Sequence, residues 1–210
     1  MTATLSTLTN DPTQASLDRI INYLHHPIWA RRFITGLVPS NNGDAGGDDL
    51  DFTVGVAADL TGDHFIELGS AMTKLMDTAW AEGTNGGALD TGVIADSTYH
   101  AFLIRNPKSK KVDIVSSLSA TAPTMPTGYS QKRRIFSFYR LAGANVLFTA
   151  VEIAGGGLWI TRSVPVMNTY NNPGTARVLR TLAMPVGIQV VARLTFHLLD
   201  DAAGDDTFFL

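Results

Sequence analysis

Tyr99-His100-Ala101-Phe102-Leu103-Ile104 and Gln131-Lys132-Arg133-Arg134-Ile135 are the two segments whose reading decides the fold. Each reads as a β-strand, and the connection between them is rich in turn signals. Asn106-Pro107-Lys108-Ser109-Lys110-Lys111 is a turn by composition, and Val112-Asp113-Ile114-Val115 returns from it, which predicts a hairpin. Pro123, Pro126 and Gly128 break the chain again before a strand over Arg133–Tyr139.

Working outward, the same short-strand grammar continues. Leu50, Phe52, Val54 and Val56 alternate with Asp51, Thr53 and Gly55, the pattern of a half-buried strand. His64–Leu68 is a further short strand. Met72, Leu75 and Met76 fit either a helical turn or an extended strand with Lys74 pointing outward. Gly83-Thr84-Asn85-Gly86-Gly87 reads as a loop. Later strands are expected at Val146–Ile153, Gly157–Val166, Ala176–Leu182, Gly187–Leu199 and Thr207–Leu210. The clearest alternation sets Ile188, Val190, Ala192, Leu194 and Phe196 against Gln189, Val191, Arg193, Thr195 and His197. The sequence stops at Phe208-Phe209-Leu210 inside a strand pattern, which predicts burial against a partner or a domain that runs on.

The N-terminal region differs. Residues 1–14 read as an extended arm. Leu17, Ile20, Ile21 and Leu24 then fall on one face of a helix, which Pro27 ends or kinks. A stripe of four apolar residues makes a thin core, and a short helix rarely holds alone in water, so this helix needs a partner surface.

Composition narrows the function classes. The chain has 210 residues, 45% hydrophobic and 17% charged, which suits a packed core and not disorder. Net charge is −3 and no long basic run occurs, so binding driven by nucleic-acid phosphates is not expected. There is no cysteine, which removes disulfides and thiolate metal sites. No apolar run reaches the ~18 residues of a membrane-spanning helix, so no membrane insertion is expected. Met1–Leu5 lacks the basic and apolar regions of a secretory leader. Nineteen glycines and nine prolines cut the chain into short pieces, as all-β proteins require.

No catalytic motif stands out. Asp44, Asp48, Asp49 and Asp51 sit in a Gly-rich loop that could offer oxygen ligands to a hard cation. Gly55 stands where an EF-hand needs its bidentate glutamate, so a solvated loop is the expectation. The five histidines lack a zinc-binding spacing, and His100 lies inside a strand, where a hydrogen-bonded structural role is expected. No Gly-x-Ser-x-Gly elbow occurs, and no helix signal follows Gly155-Gly156-Gly157 to make a phosphate loop. Lys132-Arg133-Arg134 is a short basic run in which one arginine is expected to be partly buried and paired with an aspartate. No catalytic residue, metal ligand or cofactor is therefore assigned.

Taken in order, several segments resemble a module of bacteriophage tail-fibre and tail-associated receptor-binding proteins. They are Gly36-Leu37 with Asn41-Asn42, Asp49–Gly55, Lys74–Asp77, Trp80–Gly92, and Tyr99-His100 with Phe102-Leu103-Ile104 and Val112-Asp113. Pro123 with Pro126 and Gly128-Tyr129, then Arg133-Arg134-Ile135 and Met184–Gly187, complete the order. The resemblance implies a virion structural protein of the tail, usually trimeric, that attaches the particle to a glycan or protein receptor on its bacterial host. It carries over no catalytic residue. The alternatives are a tail-associated glycan depolymerase and a purely structural collar, baseplate or head-fibre protein.

The resulting expectation is a mainly β protein. Residues 1–35 form an arm and helix that anchor to other virion proteins or trimerise. Residues 36–210 form an antiparallel β-sandwich of jelly-roll type. Trp80, Asn85, Gly86 and Gly87 are the expected receptor or partner contacts, because loops carry binding and Trp80 offers a flat apolar face. The competing expectation is that Trp80 packs into the sandwich and the glycines only make the turn.

Overall fold

A computed structural model describes residues 31–43, 47–153, 157–162 and 184–193. Thirteen strands are present among the described residues, and no helix. They are β1 (Ile34–Gly36), β2 (Pro39–Asn41), β3 (Asp49–Phe52), β4 (Gly55–Ala58), β5 (Phe65–Leu68), β6 (Met72–Ala79) and β7 (Gly86–Leu89). Then follow β8 (Thr98–Arg105), β9 (Val112–Ser117), β10 (Gln131–Leu141), β11 (Ala144–Asn145), β12 (Phe148–Ile153) and β13 (Gly157–Arg162). The protein is mainly β, as its composition predicts. The helix expected over Leu17–Leu24 and the strands expected at Ala176–Leu182 and Thr207–Leu210 lie outside the described residues.

An eight-stranded sheet runs in the order β11-β10-β8-β9-β7-β6-β3-β2, beside a three-stranded sheet β1-β4-β5 and the hairpin β12-β13. The expected hairpin is β8-β9, antiparallel from His100↔Ser117 to Arg105↔Val112. Its turn is built by Asn106, whose side-chain oxygen accepts from the N–H groups of Lys108 and Ser109, while Lys110 takes a left-handed φ of 64°. β10 lies on the other side of β8, with a bulge between Arg134 and Phe136.

β8 explains the layering. Seven of its eight residues are buried, so both of its faces are covered. Tyr99, Ala101 and Leu103 enter one apolar cluster with Leu50, Phe52, Ile66, Met76 and Ile114. Phe102 and Ile104 enter a second with Val115 and Tyr129, against which Trp80 and Met125 pack. The first cluster takes Ile66 and Leu68 from β5, so the three-stranded sheet covers that face. The second is covered by irregular chain, including Met125 and Tyr129 of the proline-rich connection.

Three expectations need correction. The main sheet is mixed, not antiparallel throughout: β7 runs parallel to both β6 and β9. Parallel neighbours usually need a crossover of about a dozen residues, whereas β6 ends at Ala79 and β7 begins at Gly86, a return too short to suggest one. The single strand expected over Leu50–Val56 is two. β3 and β4 belong to different sheets, with the chain changing layer at Thr53-Val54. Residues 187–193, the described part of the strand expected at Gly187–Leu199, have no strand structure. Val190 and Val191 are exposed there, and alternation alone does not make a strand.

Leu103 is fully buried between the two layers. Leu103→Ala should therefore lower unfolding free energy by about 2–5 kcal/mol, read as a lower urea midpoint at unchanged slope.

Candidate functional site

The segment expected to make partner contacts folds around a buried charge. Lys74, fully buried on β6, places its Nζ 2.9 Å from Oδ1 of Asp113, fully buried on β9. The same ammonium donates to the carbonyls of Ala81 at 2.7 Å and Gly83 at 3.1 Å. All three of its protons thus have acceptors. The carboxylate is satisfied as well: the Ile114 N–H donates to Oδ1 and the Gly83 N–H to Oδ2, each at 2.6 Å. Burial pulls the Lys74 pKa down, and the Asp113 charge opposes that shift.

This pair secures the short parallel return. The register sets Lys74 beside Gly86 in β7, with Asp113 on β9, the strand flanking β7 on its other side. Residues 80–85 fold back over β7, where the Trp80 and Ala81 N–H groups donate to the carbonyls of Leu89 and Gly87. The approach is close. A Cβ on Gly86 would sit 2.3 Å from the Ala81 oxygen, and one on Gly87 would sit 2.0 Å from the Ala79 oxygen. Gly86 and Gly87 are therefore strand residues and not loop residues, chosen because backbone passes against them.

Trp80 is half-buried. Its ring meets Tyr129 edge-on at 5.5 Å, and Lys74 Nζ lies 5.8 Å from its centroid. The ring thus packs over the ion pair more than it faces solvent. Asn85 is exposed at the tip of the return, with a φ of 59°, and its N–H donates to Thr73 O. Of the four expected contact residues, Asn85 presents itself to solvent, Trp80 and Gly86 do so in part, and Gly87 is buried.

At the rim, Glu82 accepts from Lys111 and from the Tyr129 hydroxyl, the latter at 3.0 Å. The hydrogen bonds from Lys111 and then Tyr129 hold the Glu82 carboxyl below its usual range. Desolvation, followed by the neighbouring Glu82, pushes the Tyr129 phenol up. Each ionic group at this centre has a committed partner among the described residues, so the arrangement orders a surface turn.

The remaining polar candidates are also structural. Asp48 of the acidic loop pairs with the buried Arg140, which also donates to Asn145 at 3.0 Å. Asp51 accepts from Asn42 at 3.0 Å and from the Thr73 hydroxyl at 2.6 Å. The aspartate pairing expected of an arginine in the run Lys132-Arg133-Arg134 is not found there, and the arginine that pairs with an aspartate is Arg140, outside the run. Arg133 and Arg134 instead donate to the carbonyls of Arg31 and Ala120. His100, buried on β8, shares a 2.8 Å hydrogen bond with Ser137. Burial, then the Arg134 charge, lowers its pKa from 6.5 to about 4.

Lys74 and Asp113 were not legible as a pair. The available signal was one charge inside each of two apolar runs, Met72–Met76 and Val112–Val115, and the strand expected at Lys74 pointed that charge outward. Comparison with known proteins adds nothing to this picture: no family model, curated protein or solved structure matches the chain.

Two measurements follow from these geometries. Asp113→Ala leaves a buried ammonium without its counter-charge and should cost about 3–5 kcal/mol in urea unfolding at neutral pH. For His100, a folded pKa of about 4 lies below the unfolded value of 6.5, so the unfolded chain binds more protons between them. Stability should be flat above about pH 6.5 and fall as pH drops towards 4, by up to ~3 kcal/mol from this residue. His100→Gln should flatten that part of the profile.

Proposed function

We propose that this chain is a bacteriophage virion structural protein, a component of a tail fibre or receptor-binding protein that attaches the particle to its bacterial host. It acts by binding and not by catalysis. The observation that carries this reading is the ordered succession of segments resembling tail-fibre modules, from Gly36-Leu37 to Met184–Gly187. The mainly β body supports it. So does the commitment of every charge around Lys74 and Asp113 to structural partners. A jelly-roll-like sandwich is the finer architecture of this reading. The three-stranded sheet packed on one face of the larger sheet supports two layers.

Assembly as a homotrimer belongs to the same proposal. On the hairpin β12-β13, Val151 and Trp159 are register partners, and with Ile153 they form an apolar stripe 45–55% exposed. Contiguous exposed apolar surface of this kind marks an interface. The turn around Asn85, backed by Trp80, is the proposed receptor-facing contact, with Gly86 and Gly87 setting its backbone path.

Antibodies against the chain should label the tails of intact particles under the electron microscope, and label on the head or collar would overturn the tail assignment. Native mass measurement should return a trimer at micromolar concentration, and a monomer there would remove the assembly claim. Release of reducing ends from host-surface polysaccharide by the purified protein would move the assignment to a depolymerase.

A further inference from the structure

We propose that Lys74 and Asp113 become covalently joined, Nζ to Cγ, as an intramolecular amide that the folded chain forms by itself with loss of water. The inference is independent of the phage reading. It rests on the groups that surround one buried amine–carboxyl contact.

The amine and the carboxyl are held in direct contact, 2.9 Å from Nζ to Oδ1, with neither side chain exposed. Fixing two reactants in this way replaces a bimolecular encounter with an intramolecular one, and effective molarities in well-oriented cases reach about 10⁵ M or more. The orientation is also set. A neutral amine has two N–H groups and one lone pair. Its two N–H groups have acceptors in Ala81 O and Gly83 O, which turns the lone pair towards Asp113. On the carboxyl, Oδ2 receives the Gly83 N–H at 2.6 Å, a donor placed to hold the oxyanion of a tetrahedral intermediate. Oδ1 is the oxygen nearest the ammonium and so the one placed to receive its proton.

The step balances without a reagent from outside. One proton passes from the Lys74 ammonium to Oδ1 along their hydrogen bond, giving an amine and a carboxylic acid. Burial penalises the charged form of Lys74, which acts in the direction of this transfer. The lone pair attacks Cγ and the C–N bond forms, with negative charge on Oδ2. The C–Oδ1 bond then breaks, and the hydroxyl departs as water with a second proton from the nitrogen. The amide keeps one N–H. The Trp80 ring over the site restricts the return of water that hydrolysis would need.

The test is the intact mass of the purified full chain. The expected result is a mass lower by one water than the sequence requires. Tryptic digestion should give a branched peptide that joins the Lys74 and Asp113 segments and is uncleaved after Lys74. Lys74→Met and Asp113→Ala should each restore the mass calculated for the variant. Asp113→Asn should yield the same branched product by losing ammonia. The wild-type protein is its own folding control: cooperative urea unfolding of the sample at full sequence mass overturns the proposal. A water loss that maps to any other residue, such as a succinimide at an aspartate, overturns it equally.

Discussion

The Lys74–Asp113 pair is the constraint on which the middle of the main sheet depends. Two opposite charges without solvent contact stabilise a fold only when their remaining valences are filled. Here the valences are filled by backbone of the segment that must be held: the carbonyls of Ala81 and Gly83 and the N–H of Gly83. The pair therefore fixes the path of residues 80–85, and that path lets β7 enter parallel to β6 after a short return. Gly86 is the steric counterpart, leaving room for the Ala81 and Gly83 carbonyls that the ammonium gathers, while Gly87 clears the Ala79 carbonyl at the end of β6. Charge, backbone path and strand direction are one solution to one packing problem.

The same centre grades outward into the surface. The aromatic pair Trp80–Tyr129 closes over the ion pair, and the Tyr129 hydroxyl hands its hydrogen bond to Glu82, which in turn holds Lys111. A surface turn tied to the core by this chain of contacts presents its outer residues in a fixed geometry. That is what a binding surface requires, because little ordering entropy is then lost on contact.

Much of the strand inventory was legible because it depends on local grammar. The β8-β9 hairpin was readable from Asn106 to Lys111, since asparagine, proline and lysine in that order leave the chain few options but to turn. Strand direction was not readable at β7, because parallel pairing is decided by what residues 80–85 bond to, far from β7 in composition. Lys74 was misread for a related reason. Lysine on a strand ordinarily faces water, and only the acceptors gathered by a distant aspartate and a returning loop reverse that preference. Gly86 and Gly87 read as a loop because glycine weakens strands, but here they answer to a close approach and not to a turn. Among the expected contact residues, Asn85 lies exposed at the tip of the return with a left-handed φ of 59°.

The two ends of the eight-stranded sheet carry a consequence for how copies of this protein can meet. The outermost strands, β2 and β11, are three and two residues long. β2 opens with Pro39, which offers no N–H, and the Asn41 side chain covers part of its margin by donating from Nδ2 to Phe148 O. β11 follows a turn in which Ala142 and Gly143 both take positive φ and bond to Asp96. Neither margin gives an incoming strand a length of free backbone to template on. The main sheet is thus protected from runaway edge-to-edge growth. At high local concentration, as in any array of many copies, these two short margins give one eight-stranded sheet little purchase on another.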